Sequence, residues 1–303
     1  MAKRTKNNDI RSDGRDFDEL REIKIQAGVL DQADGSARVD WGITMKRIAV
    51  SEKTYKKVES LREQFYIIPR GVEKKKYLVD VPAKLLEKIG GEFGDYEVVG
   101  EHFKGNIAIV AVHGPREPIP RHVADPYRAV LRFRYTMAPF SVPERKRPAP
   151  GRREVEISKV SREALQSVVF ANEYPMTAID IFAELLSADA GTRVTAITAA
   201  SVALADAGVP MKDLVAAVAV GRAFGHLVAD LTKFEEDAPD AVDFPMAVVP
   251  RTEEITLAQM DGRISRKDLD ELVELGIKKA KEISVLQRQA LKEKYQKVVE
   301  NEQ

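Results

Sequence analysis

One stretch of this 303-residue chain restricts its fold more than any other. A strand-like run over residues 177–186 passes through Ala190-Gly191-Thr192-Arg193 into an alanine-rich helix over residues 194–207. A helix N-terminus leaves its first backbone N–H groups unpaired, and the helix dipole makes that end positive. A glycine, a hydroxyl and an arginine placed there form a receptor for a phosphate-sized anion. Gly and Thr also serve such turns for geometry alone, so the meaning of the turn depends on what else the chain supplies.

Two other segments give it weight. Residues 116–153 hold nine arginines and Lys146 against only Glu117, Asp125 and Glu144, a local excess of seven positive charges. The whole chain is neutral, with 48 basic and 48 acidic residues. A neutral protein that binds nucleic acid has to gather its basic side chains in this way. Tyr127, Phe133, Tyr135 and Phe140 lie among them, and such rings either stack on bases or pack into a core. The alternation Arg132-Phe-Arg-Tyr135 suits a strand with one basic and one apolar side. After the helix come Asp237 and Asp243, carboxylates able to hold Mg²⁺ or to protonate a leaving oxygen.

The remaining pattern is mixed α/β. Strands are expected at 23–30 and 38–41, the latter after the turn Ala33-Asp-Gly-Ser-Ala37, and again at 107–112, 127–136, 214–220, 227–231 and 244–249. Helices are expected at 158–170 and over about 266–298, where Ser265 and Asp268 form a capping box. Residues 43–104 interrupt this order. Their 13 basic and 10 acidic residues do not mark a nucleic-acid arm. Ser51 caps an expected helix over 52–65, 77–81 reads as a strand, and a short helix over 82–89 should stop at Gly90-Gly91.

Composition excludes several classes. No cysteine is present, so disulfides, thiolate metal sites and a cysteine nucleophile are ruled out. The four histidines have no metal-ligand spacing. Residues 1–8 are basic without a following apolar stretch, unlike a secretory signal, and no run approaches a membrane span. A cytoplasmic protein that does not meet a membrane is expected.

Taken in order, several blocks resemble the RNase PH family, and within it the catalytic subunits of archaeal exosome cores. They are Arg11-Ser-Asp-Gly-Arg15, Asp18-Glu-Leu-Arg21, Gly28-Val-Leu30, Ala33-Asp-Gly-Ser-Ala37, Gly114-Pro-Arg-Glu117, Pro120-Arg-His122, Met137-Ala-Pro-Phe-Ser141, Arg145-Lys-Arg-Pro148, Arg152-Arg-Glu-Val-Glu-Ile-Ser-Lys159, Ala190-Gly-Thr-Arg193, residues 199–208 and Pro250-Arg251. The resemblance covers residues 10–42 and 105–303. It implies an α/β (α+β) RNase PH-like fold of two βα halves, with 43–104 as a small inserted α/β subdomain and 1–9 as a basic tail.

The implied reaction is 3′→5′ phosphorolysis of RNA, in which inorganic phosphate is the co-substrate and nucleoside diphosphates are released. The reverse reaction adds a tail. By resemblance, Gly191, Thr192, Arg193 and Arg153 bind phosphate, while Arg116, Arg121, His122, Arg152 and Arg153 bind RNA. Asp237 is the expected proton donor and Asp243 the expected Mg²⁺ ligand, with Asp237 beside it. The implied partners are single-stranded RNA 3′ ends, a related non-catalytic subunit alternating in a hexameric ring (a trimer of heterodimers), and RNA-binding cap proteins. A homohexameric RNase PH trimming tRNA ends and a non-catalytic RNA-binding ring subunit are the competing readings. The chain departs from the family pattern at Ala223-Phe-Gly225, where an acidic residue usually precedes the glycine, and at 43–104, which splits a hairpin otherwise continuous.

Overall fold

The computed structural model describes residues 10–73, 75–115 and 119–301. In chain order the strands and helices are β1 (Glu22–Ala27), β2 (Gly35–Val50), α1 (Glu52–Ser60), β3 (Ile68–Glu73), β4 (Lys76–Pro82), α2 (Ala83–Phe93), β5 (Tyr96–His113), β6 (Val130–Met137) and α3 (Arg152–Gln166). They continue with β7 (Ala178–Ser187), α4 (Thr192–Asp206), β8 (Ala216–Ala223), β9 (His226–Ala229), α5 (Lys233–Glu236), β10 (Val242–Val249), β11 (Glu254–Ala258) and α6 (Arg266–Asn301).

Two sheets enclose one helix. The larger has the order β3-β4-β2-β5-β7-β6, with β1 also paired to β2; the smaller runs β11-β10-β8-β9. Strands β6 and β7 are parallel and are joined through α3, as a strand–helix–strand crossover requires. Helix α4 contacts β2, β5 and β7 of one sheet and β8 and β10 of the other. Residues 194–204 of α4 are buried without exception, because Ala, Thr and Ser are small enough to let both sheets close on it. The backbone comes so near that a Cβ on Gly35 would lie 2.2 Å from Ala207 N. Helix α6 packs on β8, β9 and β10 of the smaller sheet and on β1 of the larger, and α3 packs on β6 and β11.

Residues 43–104 extend the larger sheet instead of interrupting it. Strands β2 and β5 stay antiparallel from Gly35↔Val112 to Val50↔Tyr96, with one register shift after Arg47. Gly42 faces Gly105 across the ladder, and a Cβ on Gly105 would stand 2.3 Å from Gly42 Cα. Beyond that glycine pair the ribbon adds β3 and β4, and α1 and α2 close a second apolar core. Ile48, Val50, Val58, Phe65, Ile67, Val79, Val81, Leu85, Leu86, Ile89 and Phe93 form it. Ser51 caps α1 at the expected residue, its hydroxyl accepting from Thr54 N–H at 3.3 Å. Helix α2 passes through Gly90-Gly91, since Ile89 and Phe93 are buried on one face and hold the last turn.

The expected helix at 158–170 in fact begins at Arg152. Glu154 accepts the Gly151 N–H at 2.9 Å and pairs with Lys146 at 3.0 Å, and so closes the N-terminus six residues early. This places Arg152 and Arg153 on the first turn of α3. Strands β3 and β11 and the short α5 carry too few apolar residues to announce themselves. No helix among the described residues is long and apolar enough to cross a membrane.

Candidate active site

The turn before α4 is held in a strained shape. Ala190 (φ 60°) and Gly191 (φ 64°) are both left-handed, which for alanine costs on the order of 1 kcal/mol. Buried Asn106 holds the turn on both sides: its Nδ2 donates to Ala190 O at 2.5 Å, and its Oδ1 accepts from Asp189 N–H at 2.8 Å. Thr192 accepts from the Tyr135 hydroxyl at 2.9 Å. Burial pushes that phenol up to about 12, so it remains a donor.

A cleft of 730 Å³ opens in front of this helix end. Arg152 and Arg153 reach it from α3, Arg193 from α4, Lys233 and Glu236 from α5, Asp243 from β10, and Gln259 and Asp261 from the segment after β11. The Arg193 guanidinium hydrogen-bonds Gln259, which itself donates to Glu156 at 3.1 Å. Arg193 Nε is buried without a partner. Burial and the neighbouring Glu236 push the Asp243 carboxyl up to about 6, against the pull of Arg193 and Arg153. Burial also raises Glu236, opposed by Lys233, Arg153 and the nearby Gly191 N–H.

The two expected acids fall in different places. Asp243 lines the cleft, but Asp237 does not. Asp237 is the C-terminal cap of α5, its side chain 64% exposed and paired with Lys233 at 2.7 Å. Glu236, one residue earlier and 17% exposed, takes the place beside Asp243. The reason is the register of α5. Its start is fixed by Thr232, whose hydroxyl caps Glu235 N–H while Glu235 accepts the Thr232 N–H at 2.9 Å. One further residue along the turn swings Asp237 outward.

Of the expected RNA contacts, Arg152 and Arg153 line the cleft. Arg121 and His122 sit in an exposed turn between β5 and β6 and do not. Arg116 lies outside the described residues, as does the tail 1–9. The aromatic residues of the basic segment divide. Phe133 and Tyr135 are buried, whereas Tyr127 is 82% and Phe140 74% exposed.

Beneath the cleft lies a charged core that the sequence disclosed only as a turn. Arg11 pairs with Glu235 at 2.8 Å and also donates to Asp230 O at 2.8 Å. Arg15 pairs with Asp13 at 2.6 Å. Arg21 holds Asp230 through Nε and Nη2 at 3.0 and 2.7 Å, and Trp41 Nε1 donates to the same carboxylate at 2.9 Å. All are buried, and the arginines hold Asp230 well below the usual carboxylate range despite its burial. This network ties the N-terminal arm to the start of α5 and so fixes Glu236. Asp230→Ala should therefore cost about 3–5 kcal/mol in urea denaturation, because Arg21 and the indole N–H would lose a buried acceptor. A loss under 1 kcal/mol would show that the network is not cooperative.

A hard cation suits one corner of the cleft. Asp243 Oδ1 is buried without a hydrogen-bond partner, and Glu236 and Asp261 raise its pKa. Among the described residues no three carboxylate or imidazole groups form a closed cluster. One or two carboxylates with further sites left for substrate phosphates is the ordinary arrangement for Mg²⁺. The same repulsion makes a stability prediction. Asp243 keeps its proton more readily folded than unfolded, so its contribution is full below about pH 4 and lost as pH rises through about 6. Asp243→Asn should stabilise the fold at pH 7 by on the order of 2 kcal/mol, with the gain fading on acidification towards pH 4. Thermal unfolding at the two pH values checks it.

The geometry has a family. Domain 1 of the 3′ exoribonuclease family (RNase PH) matches residues 102–210, and domain 2 matches residues 213–279. The chain belongs to this family of 3′ exoribonucleases. It is 45% identical over 293 residues to exosome complex component Rrp41 of Thermococcus onnurineus, covering 97% of this chain and 92% of that protein. It is 43% identical to the Rrp41 of Methanopyrus kandleri over 286 residues, with 94% and 93% covered. Among solved structures, rice Rrp46 superposes with a TM-score of 0.66 at 21% identity, over 93% of this chain and all of that one. A subunit of the Archaeoglobus fulgidus exosome with RNA bound to the active site gives 0.60 at 18%, over 95% and 94%. The RNase PH-like α/β fold is thereby established.

Proposed function

We propose that this chain is the catalytic subunit of an archaeal exosome ring and degrades RNA from its 3′ end by phosphorolysis. One observation carries the reading: Arg193 of the first turn of α4, Arg152, Arg153 and two carboxylates of raised pKa converge on one cleft. The naming of the curated relatives supports it. Residues 10–42 and 105–303 are the catalytic domain, and 43–104 are inserted into it.

The chemistry follows from the residues. Both substrates are anions, and bringing them together requires fixed positive groups. Inorganic phosphate sits at Gly191, Thr192 and Arg193, with Arg153 across the cleft. Arg152 and Arg153 hold the RNA backbone, and Arg116, Arg121 and His122 line the approach. A phosphate oxygen attacks the phosphorus of the terminal nucleotide. The bond to the 3′-oxygen of the preceding ribose breaks, and a nucleoside diphosphate leaves. Glu236, rather than Asp237, gives a proton to that 3′-oxygen. Asp243, with Glu236 near it, would hold Mg²⁺, which when bound supplies charge neutralisation at the reacting phosphoryl oxygens. A phosphoester is exchanged for a phosphoanhydride, so the reaction can run backwards and tail RNA.

The test is a 3′-labelled single-stranded RNA with Mg²⁺, with and without inorganic phosphate, for the chain alone and mixed with a related non-catalytic ring subunit. Nucleoside diphosphates that require both phosphate and partner are expected. Diphosphates from the chain alone would indicate a homohexameric enzyme. RNA binding without products would leave a binding subunit, and monophosphates would mean hydrolysis. Pull-down with cap proteins extends the test to the assembly.

A further inference from the structure

We propose that Tyr66, carried by residues 43–104, is a positioning residue that sets the phosphate turn and the acid helix α5. The inference rests on the reading of that turn as the phosphate site.

Tyr66 lies where the added ribbon meets the turn before α4 and the helix α5. It is 8% exposed, and its backbone N–H donates to Ser12 O at 2.9 Å. Its hydroxyl donates to Asp189 Oδ1 at 2.6 Å. Asp189 is the residue before the left-handed pair Ala190 and Gly191. The other groups of Asp189 are held by the catalytic domain: its N–H by Asn106, its carbonyl by Arg21 Nη1 at 2.5 Å. Asp189 Oδ2 has no hydrogen bond but pairs with Arg21 Nη1 at 3.6 Å, and Lys104 Nζ, also from 43–104, stands 3.5 Å from Oδ1. Tyr66 is thus the sole hydrogen-bond donor to that carboxylate among the described residues.

The ring of Tyr66 meets α5. It stacks on Phe234 with centroids 5.9 Å apart, and Phe234 meets Phe224 at 5.6 Å. Phe234 lies in α5, two residues before Glu236. Phe224 is itself left-handed, at φ 52°. One side chain from the added ribbon therefore touches both the turn that receives the anion and the helix that carries the acid. Packing alone would be met by phenylalanine. The buried hydroxyl has to recover its desolvation cost through Asp189, and burial beside that carboxylate raises the phenol far above its ordinary value and keeps it a donor.

The test uses the full chain, alone and with its ring partner, titrated with inorganic phosphate and followed by ³¹P NMR, beside steady-state kinetics on RNA. Tyr66→Phe should weaken phosphate binding and raise the KM for phosphate about tenfold, with the KM for RNA and kcat within about twofold. Asp189→Asn should give the same change, and the double variant no more than either alone. Tyr66→Leu should in addition lower kcat, because α5 loses its stacked neighbour. Unchanged phosphate affinity in Tyr66→Phe, with only a lower Tm, would overturn the inference and leave Tyr66 as core. Wild-type protein that binds phosphate but releases no diphosphates would overturn the phosphorolytic reading while the titration still judges Tyr66. Wild-type protein that binds no phosphate would overturn both.

Discussion

Arg193→Ala is expected to lower phosphorolysis by about 10²–10³-fold while leaving the fold intact. Arg193 is the single guanidinium fixed on the first turn of α4, and its side chain is 17% exposed. Its contacts are Gln259 and, at 4.0 Å, Glu156, both at the rim of the cleft rather than in the buried arginine network. Removing it therefore leaves Asp230 and Glu235 paired, and thermal unfolding should move by no more than a surface substitution would. The loss should be seen in kcat and in the KM for phosphate together, because the group binds an anion that also reacts. Arg193→Lys should recover only part of the activity, since an ammonium cannot grip two phosphate oxygens in one plane. Activity of Arg193→Ala within threefold of wild type would remove the turn from the site.

The parts of this site that were legible in the sequence share a property: their chemistry is local. Gly191, Thr192 and Arg193 read as an anion site because a strand, a turn and a helix follow one another within a few residues, and Arg193 lines the cleft. Arg152 and Arg153 were visible as charge, although the helix that aims them starts six residues before the apolar periodicity at 158–170 does. Helix starts set by a single carboxylate, as Glu154 sets this one, leave little trace in an apolar pattern. The buried network of Arg11, Arg15 and Arg21 was not legible as such. Its partners Asp230 and Glu235 lie more than 200 residues away, and a run of charged residues near a turn reads as solvated surface.

The role of residues 43–104 in the fold was hidden for a related reason. Their elements could be read one by one, but continuity of β2 and β5 is a pairing between distant residues. Only the facing glycines, Gly42 and Gly105, mark the point in the β2–β5 ladder beyond which the added strands pair. The contact of Tyr66 with Asp189 spans 123 residues and has no sequence signature at all.

The acid is where the family resemblance and the register of α5 part, and it gives the second large effect. The resemblance selects Asp237; counting forward from the Thr232 cap selects Glu236. The structure favours the cap, because Glu235 must face inward to meet Arg11 and Ser12, at 2.8 and 2.9 Å. Glu236 then follows into the cleft, and Asp237 turns out to Lys233. Glu236→Gln keeps the shape but cannot deliver a proton, so kcat should fall about 10²–10⁴-fold. Asp237→Asn should stay within about threefold, having lost only an exposed ion pair. In the wild type the protonated share of Glu236 falls as pH rises past its raised pKa, so kcat at saturating phosphate should decline on that limb, and Glu236→Gln should lose this pH dependence. The opposite pattern, with Asp237→Asn inactive and Glu236→Gln active, would mean that α5 re-registers by one residue when RNA and phosphate bind. In that case the capping contact between Thr232 and Glu235 would have to break in the working enzyme, and Thr232→Ala would accelerate turnover rather than slow it.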